Sequence, residues 1–134
     1  MAIETLKVSR IYQDLDLNFD PHPFTKDVGK KIDVNAVKQS LRILLLTNFY
    51  ERPFEPEKGA NLRGYLFEPM TNILAGVIKN TIQNLIKTYE PRARVQSIAV
   101  VADYDKNAYD ITIRYFVVGT DKPQTLTANL KRLR

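Results

Sequence analysis

The sequence predicts an α+β fold in which helices pack on one face of a C-terminal antiparallel β-meander. Before residue 91, apolar residues recur at steps of three and four, which is the pattern of an amphipathic helix. After residue 92, apolar and polar residues alternate, which is typical of strands in a sheet packed on one side only. Pro91 divides the two patterns, because proline lacks the amide hydrogen that a helix needs and moves Glu90 towards an extended conformation.

Length and composition indicate one domain over residues 1–134. The chain has 134 residues, 44% of them hydrophobic, and folding at this size buries roughly two thirds of the extended chain's surface. There is no cysteine and one histidine, so we expect neither a disulfide nor a metal site. The first residues lack the pattern of a signal peptide, and the longest aliphatic run, from Ile43 to Leu46, is too short to cross a membrane. We expect a protein that is used without secretion and has no membrane partner.

The net charge of +5 would suit a nucleic-acid partner, but 15 acidic residues are distributed among the 20 basic ones. The basic cluster lies at the C-terminus, at Lys131, Arg132 and Arg134, where such clusters are usually solvated tails. Tyr109 and Tyr115 share a strand face with aliphatic residues, which favours the core over a platform for stacked bases. We expect no nucleic-acid partner. A nucleic-acid-binding α+β module stays an alternative, whose affinity would fall steeply with salt.

The N-terminal part, residues 1–32, is predicted to form an extended arm and a turn. Residues 3–19 alternate loosely and indicate a short element followed by the arm. Asp20-Pro21-His22-Pro23 predicts the turn, because two prolines in so short a segment exclude regular structure. Asp33 is a suitable N-cap for a helix from Val34 to about Thr47.

The helical part covers residues 33–88 and continues with a loop, Glu51 to Gly59, in which two prolines fix an extended path and the glycine permits a tight turn. The residues expected to order this loop are Arg52, Pro53, Phe54, Glu57 and Gly59. A short helix over residues 61–67, capped by Asn61, is expected to turn Leu62, Tyr65 and Leu66 inward. Thr71 or Asn72 then caps a long helix, whose predicted apolar face consists of Ile73, Leu74, Val77, Ile78, Ile82, Leu85, Ile86 and Tyr89.

Residues 93–132 are predicted to form a three-stranded meander. The apolar faces of its strands consist of Ile98, Val100 and Ala102, then Tyr109, Ile111, Ile113, Tyr115 and Val117, then Leu126, Ala128 and Leu130. The third strand lies at an edge of the sheet, where unpaired backbone groups can accept a strand from another chain. Two interpretations are open: an ordinary edge kept soluble by Lys131 and Arg132, or a docking edge.

The sequence contains no nucleophile motif, no glycine-rich phosphate loop and no metalloprotease motif. A glycosidase needs two carboxylates beside a cleft, and the specially placed acidic residues are Glu57, Glu68, Glu90 and Asp103. Each has a structural role available, since Glu57 can bond to loop amides and Glu90 can pair with Arg92. We therefore predict no catalytic residue, no cofactor and no small-molecule substrate.

Six segments carry a resemblance to a known family. They are, in order, Asp14 to Leu17 with Phe19, Ala36 to Leu41, Arg52-Pro53-Phe54, Pro56-Glu57 with Gly59, Leu66 to Pro69, and Glu90-Pro91-Arg92. Together, over nearly the whole chain from about Ile11, they resemble the baseplate wedge proteins of contractile-tailed phages that initiate the tail sheath. This family is related to a baseplate component of type VI secretion systems and was long labelled lysozyme-like. A peptidoglycan-cleaving enzyme is therefore the second alternative.

The resemblance implies a structural protein of the virion's tail baseplate, assembled in the host cytoplasm, with other wedge proteins and the tail sheath protein as partners. By that resemblance Glu90, Pro91 and Arg92 form the Glu-Pro-Arg motif that contacts the helical core bundle of neighbouring wedge subunits. An intramolecular pair of Glu90 with Arg92 is the alternative.

The resemblance also implies that the C-terminal β region accepts sheath strands by β-augmentation. The candidate residues are Gln124, Thr125, Leu126, Thr127, Ala128, Asn129 and Leu130. One residue departs from the family: Lys58 stands where an aromatic residue usually follows Pro-Glu.

Overall fold

In the part of the chain that the computed structural model describes, residues 12–132, three helices and two antiparallel sheets form the fold. The helices are α1 (Val34–Leu46), α2 (Leu62–Tyr65) and α3 (Asn72–Tyr89). The strands are β1 (Gln13–Leu15), β2 (Lys30–Ile32), β3 (Ala93–Asp103), β4 (Ala108–Val117) and β5 (Pro123–Lys131). β1 pairs with β2, whereas β3, β4 and β5 form a meander in that order, which confirms the predicted α+β class.

Between residues 12 and 32 the structure contains a two-stranded sheet where the sequence predicted an extended arm and a turn. β1 and β2 pair antiparallel, with Gln13 opposite Ile32, and an isolated bridge between Pro21 and Val28 narrows the long turn between them. Each strand has three residues, which is too few for an alternating pattern to be recognised in the sequence. The short element predicted at the start of this region falls before Tyr12, outside the described residues.

Asp33 precedes α1 as predicted, but its side chain does not cap the helix. Its backbone has a φ of 48°, and its carboxylate accepts a hydrogen bond from the Tyr12 amide at 3.0 Å. The Asp33 amide in turn donates to the Tyr12 carbonyl at 2.7 Å. Asp33 therefore connects the open end of the β1–β2 hairpin to the start of α1. Its carboxylate bonds to Tyr12 beside the hairpin and not to an amide in the first turn of the helix.

The caps of the other two helices differ. The hydroxyl oxygen of Thr71 accepts a hydrogen bond from the Leu74 amide at 3.1 Å, so Thr71 caps α3, one of the two residues proposed from the sequence. The cap predicted for Asn61 is wrong. Asn61 has a left-handed backbone, with φ 46° and ψ 35°, and not the extended one that N-caps adopt, and its side chain makes no cap bond to α2.

The buried stripe of α3 is narrower than the predicted apolar face. It consists of Leu74, Ile78, Ile82, Leu85 and Ile86. Ile73 is 81% exposed and Val77 is 42% exposed, although both were expected to face the core. At about 100° per residue the buried stripe spans an arc of about 120° that begins at Leu74, and Ile73 and Val77 lie about 100° and about 60° outside it.

The core lies between the helices and the helix-facing side of the meander. Its centre is β4, in which Tyr109, Ile111, Ile113, Tyr115 and Val117 are all essentially inaccessible to solvent. Asp110 and Arg114, on the opposite face of β4, are exposed, so the sheet is covered on one side as predicted. None of the helices in residues 12–132 is long and apolar enough to span a membrane.

Candidate functional site

The turn between α3 and β3 is the first candidate surface, and we call its residues Glu90, Pro91 and Arg92 the joint. The Glu90 amide still donates to the Ile86 carbonyl at 2.9 Å, but Pro91 has no amide hydrogen with which to continue the helix. The Ala93 amide then donates to the Glu90 carbonyl at 3.1 Å and closes the turn. The chain passes from helix to strand within three residues.

Glu90 and Arg92 form a two-point ion pair across Pro91. Arg92 Nε donates to Glu90 Oε1 at 2.7 Å, and Arg92 Nη2 donates to Oε2 at 2.9 Å. The hydroxyl of Ser40, on α1, donates a further short hydrogen bond to Oε2. With 3% of its surface exposed, the Glu90 carboxylate is buried between two elements. The intramolecular pair, one of the two interpretations of the motif, is therefore present.

Arg92 also contacts the N-terminal hairpin. Its Nη2 lies 3.6 Å from Asp14 Oδ2, and its guanidinium carbon lies 5.5 Å from the centroid of the Tyr12 ring. The side chain of Arg92 is 26% exposed, in contrast to the buried carboxylate that it binds. One side of the Arg92 guanidinium is therefore exposed to solvent, while its two hydrogen bonds to Glu90 fix the opposite side.

The ionisation of the pair follows from these contacts. Burial disfavours the charged form of Glu90, but the hydrogen bonds from Arg92 and Ser40 outweigh burial and lower the pKa of the carboxyl group below its usual value. The hydrogen bond to Glu90 is also the main reason why the pKa of Arg92 is raised. Both groups are therefore charged at neutral pH, and Glu90 does not have the raised pKa that a glycosidase requires of its general acid.

A cleft of about 590 Å³ opens beside the joint. Asp14 and Ser40, which contact the joint, line it together with Tyr89. Arg52 and Lys58, from the loop that follows α1, line its other side. The tertiary structure thus brings part of the predicted ordered loop and the surroundings of the Glu-Pro-Arg motif to one surface.

The loop itself is held by a close approach of two backbone segments at Gly59. The Ala60 amide donates to the Thr47 carbonyl at 3.0 Å. A Cβ atom at position 59 would lie 2.5 Å from that same carbonyl oxygen, nearer than any real side chain comes. A residue without a side chain is therefore required where the loop returns to the end of α1.

Charged residues complete the loop. Glu51 accepts a hydrogen bond from the Asn48 amide at 3.0 Å. Such a bond to a loop amide was expected of Glu57, whose side chain makes none with residues 12–132. Lys58 Nζ lies 3.0 Å from Glu55 Oε2 and 5.7 Å from the centroid of the Tyr89 ring. Lys58 therefore packs the loop on the end of α3 as a cation over an aromatic ring.

Phe54 differs from the rest of the loop. Its side chain is 97% exposed, so it takes no part in packing the loop within the monomer. Pro53 is likewise exposed, whereas Arg52 is half-buried and lies 3.6 Å from Glu55. The loop residues quoted from the sequence thus divide into structural ones, Arg52 and Gly59, and exposed ones.

β5 is the second candidate surface. Within the described residues β5 pairs with β4 alone, in an unbroken register from Phe116 opposite Pro123 to Ala108 opposite Lys131. Its other edge is therefore free of strand pairing in this part of the chain. The predicted edge position of the third strand is correct.

The register shows which backbone groups of β5 point outward. The Arg132 amide donates to the Asn107 carbonyl at 3.3 Å, which makes these two residues a hydrogen-bonded pair. Bonded and non-bonded pairs alternate along an antiparallel ladder. The amides and carbonyls of Thr125, Thr127 and Asn129 therefore point away from β4. Pro123, which has no amide hydrogen, occupies a position of the same outward type, as expected at an edge.

The joint includes contacts with residues that the sequence did not single out. Ser40 and Asp14 hold the joint, and both lie in segments that carry the family resemblance, Ala36 to Leu41 and Asp14 to Leu17. Their presence in those segments was the available signal. Their contact with the joint could not be read from the chain, because it joins residues far apart in sequence.

Comparison with known proteins identifies the family. Residues 33–122 match the family model described as baseplate wedge protein gp25. The chain belongs to this family. Baseplate wedge protein gp25 of Enterobacteria phage T4 is 30% identical over 119 residues, which cover 89% of this chain and 88% of that protein. Membership confirms the resemblance drawn from the sequence and gives the chain a structural role in a baseplate wedge.

Solved structures share the fold. A chain of the anti-feeding prophage baseplate has a TM-score of 0.65 and 24% identity, covering 90% of this chain and 86% of that chain. A chain of the pyocin R2 baseplate in its postcontracted state has a TM-score of 0.58 and 17% identity, covering 90% and 99% respectively. A putative tail lysozyme from Geobacter sulfurreducens has a TM-score of 0.66 and 23% identity, covering 73% and 89%. At these identities the likeness is one of fold, and the lysozyme name belongs to that protein.

Proposed function

We propose that this chain is a structural component of a contractile phage tail baseplate, which binds neighbouring wedge subunits through the joint and templates polymerisation of the tail sheath through β5. In this role residues 1–134 act as one domain of the virion, assembled in the host cytoplasm. Its partners are other wedge proteins and the sheath protein, with no nucleic acid, membrane or small molecule required.

The free edge of β5 carries the proposal. Its outward amides and carbonyls recur at every second residue, at Thr125, Thr127 and Asn129, and form a ready template for a strand from another chain. Pairing through the backbone transmits one geometry from ring to ring without a long set of side-chain contacts. The candidate segment, Gln124 to Leu130, thus contributes its backbone to the sheath and its apolar side chains, such as Leu126, to the core.

The residues of the joint have different parts in the proposed wedge contact. Glu90 is too deeply buried to reach a partner, so it orients Arg92. Pro91 is exposed and fixes the turn. Arg92 is the residue that contacts the partner, because its guanidinium is partly exposed and already held in one geometry, which lowers the entropy lost on binding.

No catalysis forms part of this proposal. The hydrogen bonds of Glu90 keep it ionised, and the same bonds give it a structural task. The purified chain and its Glu57→Gln and Glu90→Gln variants should all leave peptidoglycan intact. Cleavage by the unaltered chain that either substitution removed would replace the structural proposal with the lysozyme alternative.

Affinity capture from cells that produce the whole particle tests both surfaces. We expect tagged wild-type chain to recover wedge and sheath proteins. Arg92→Ala should lose the wedge proteins, whereas Arg94→Ala, a matched change of an exposed arginine on β3, should keep them. Thr127→Pro removes an outward amide and should lose the sheath protein, whereas Thr127→Ala keeps that amide and should retain it. Recovery of nucleic acid alone, abolished by raised salt, would contradict the proposal.

A further inference from the structure

A second cleft, of about 650 Å³, lies between β5, α1 and the N-terminal hairpin, and we call it the β5 cleft. β5 contributes Thr125, Leu126 and Thr127 to its lining. Thr125 and Thr127 are two of the positions whose backbone groups point away from β4. The free edge of the sheet therefore opens into this cleft, and a strand that added to β5 would lie along it.

The charged side chains that line the β5 cleft are all basic: Lys31, Lys38 and Arg42. Lys31 lies 3.4 Å from Asp16, but Lys38 and Arg42 make no ion pair with any residue of 12–132. Both are exposed and lie one helical turn apart on α1. Like charges at this spacing repel each other and weaken a helix, so their placement does not serve the stability of α1.

The outer face of the sheet, opposite the helices, is also basic beside the β5 cleft. Arg114 is exposed and lies opposite Thr125 in the β4–β5 register. The acidic residues on that face, Asp110 and Asp103, lie further from Thr125: Asp110 accepts a hydrogen bond from the side-chain amide of Asn129, and Asp103 at the end of β3 pairs with Lys106. Basic groups therefore flank the free edge at Thr125 from both sides of the sheet.

We propose that the segment which pairs with β5 is an acidic β-strand of the sheath partner, with carboxylates that reach Lys38 and Arg42. Side chains of a strand alternate between its two faces, so every second residue of the added strand faces α1. There the cleft offers the two cations and, beside them, the apolar side chains of Ile43 and Leu46. This inference rests on the proposed docking function and adds the chemistry of the docked segment.

Charge disfavours two other occupants. Residues 1–11 of this chain contain Lys7 and Arg10 against Glu4 as the one acidic residue, so they would bring net positive charge to a basic cleft. A second copy of β5, Pro123–Lys131, contains Lys131 and no carboxylate. An acidic strand from another protein is the occupant whose charge complements the cleft.

Binding of the purified chain to purified, unpolymerised sheath protein of the same particle tests the inference. We expect Lys38→Glu with Arg42→Glu to weaken binding by a factor of about ten or more, through loss of attraction and new repulsion. Lys79→Glu with Lys87→Glu makes the same charge change at exposed positions of α3 and should leave binding within about twofold. Raising the salt from 0.05 to 0.5 M, roughly a threefold shortening of the screening length, should weaken binding by the wild type and strengthen binding by the first variant, because salt screens attraction in the one and repulsion in the other.

Further variants distinguish failure of the docking function from failure of the acidic-strand inference. If Thr127→Pro binds sheath as well as Thr127→Ala does, docking at β5 is wrong, and the acidic-strand inference is wrong with it. If Thr127→Pro abolishes binding while the Lys38 and Arg42 variant binds like wild type, the docking edge stands and the charge inference is overturned. Tighter binding after deletion of residues 1–11 would identify the chain's own segment as the occupant, which would also overturn it. Circular dichroism melting establishes that each variant is folded; should Thr127→Pro unfold, Thr125→Pro makes the same test at the neighbouring outward amide.

Discussion

Ser40 on α1 donates a hydrogen bond to Glu90 at the end of α3, across a separation of 50 residues in the chain. The same carboxylate accepts two further hydrogen bonds from Arg92, the last residue before β3. A single buried anion thus joins α1, α3 and the meander. The joint is a structural centre of the monomer as well as a candidate surface for a neighbouring subunit.

Glu90→Gln should lower the free energy of unfolding by about 2 to 3 kcal/mol, because it removes the buried carboxylate that binds Arg92 at two points and leaves only the longer contact with Asp14 at 3.6 Å. The loss is smaller than for a fully buried pair, since Arg92 is 26% exposed. Urea unfolding measures it. Glu57→Gln, at an exposed position of the loop, is the control and should change stability by less than about 0.5 kcal/mol. Equal effects of the two substitutions would contradict a special role for the Glu90 pair.

Stability should fall in acid through the same residue. The hydrogen bonds lower the pKa of Glu90 in the folded state below its usual value of 4.5, so the folded state binds this proton less readily than the unfolded state. The stabilising contribution is therefore complete above that usual value and is lost as pH falls through the lower, folded-state pKa. Urea unfolding from pH 7 to pH 2 should show the wild type losing more stability than Glu90→Gln. Parallel pH profiles would contradict this assignment.

Gly59→Ala should destabilise the protein by more than about 1 kcal/mol, because the new Cβ would lie 2.5 Å from the Thr47 carbonyl oxygen. The loop would have to leave α1 and lose the hydrogen bond from Ala60. Gly76→Ala is a matched control inside α3, where nothing lies within 4 Å of the added carbon. That substitution should stabilise by about 0.5 to 1 kcal/mol, so thermal melting should move the two variants in opposite directions.

Tyr115→Phe should be neutral or stabilising, by up to about 1 kcal/mol. The Tyr115 side chain is fully buried, and its hydroxyl has no hydrogen-bond partner among the described residues. Removing an unpaired buried hydroxyl removes its desolvation cost and leaves the aromatic packing in place. Denaturant unfolding measures the change. Tyr115→Leu is the control for packing and should destabilise, because it removes ring volume from the core. A loss of more than about 1 kcal/mol in Tyr115→Phe would reveal a hydrogen bond from the hydroxyl.

The alternation along β5 predicts an exchange pattern in the isolated chain. Amides of Thr125, Thr127 and Asn129 point outward and should exchange with solvent at least about ten times faster than those of Leu126 and Ala128, which bond to β4. Hydrogen exchange followed by nuclear magnetic resonance resolves these amides singly. Addition of sheath protein should slow the outward set selectively. Uniform protection along β5 in the isolated chain would show that its edge is already covered.

Local sequence patterns determined the meander, the edge position of β5 and the end of α3 before Pro91. These features follow from neighbours within a few residues, where the alternation of strands and the chemistry of proline act directly. The Glu90–Arg92 pair could also be predicted from the sequence, because the two residues flank one proline in a turn and are close in the chain. The family resemblance likewise came from short segments and is confirmed by the family match.

Only the tertiary structure decided the features that depend on distant partners. Ser40 reaches Glu90 because α1 packs beside the end of α3, and Lys38 and Arg42 face the β5 cleft because α1 also lies beside the sheet edge. The exposure of Ile73 depends likewise on how far the sheet extends around α3. A local pattern states which residues are apolar or charged. Which of them meet is set by the packing of whole elements, whose contacts are long-range and leave no period in the sequence.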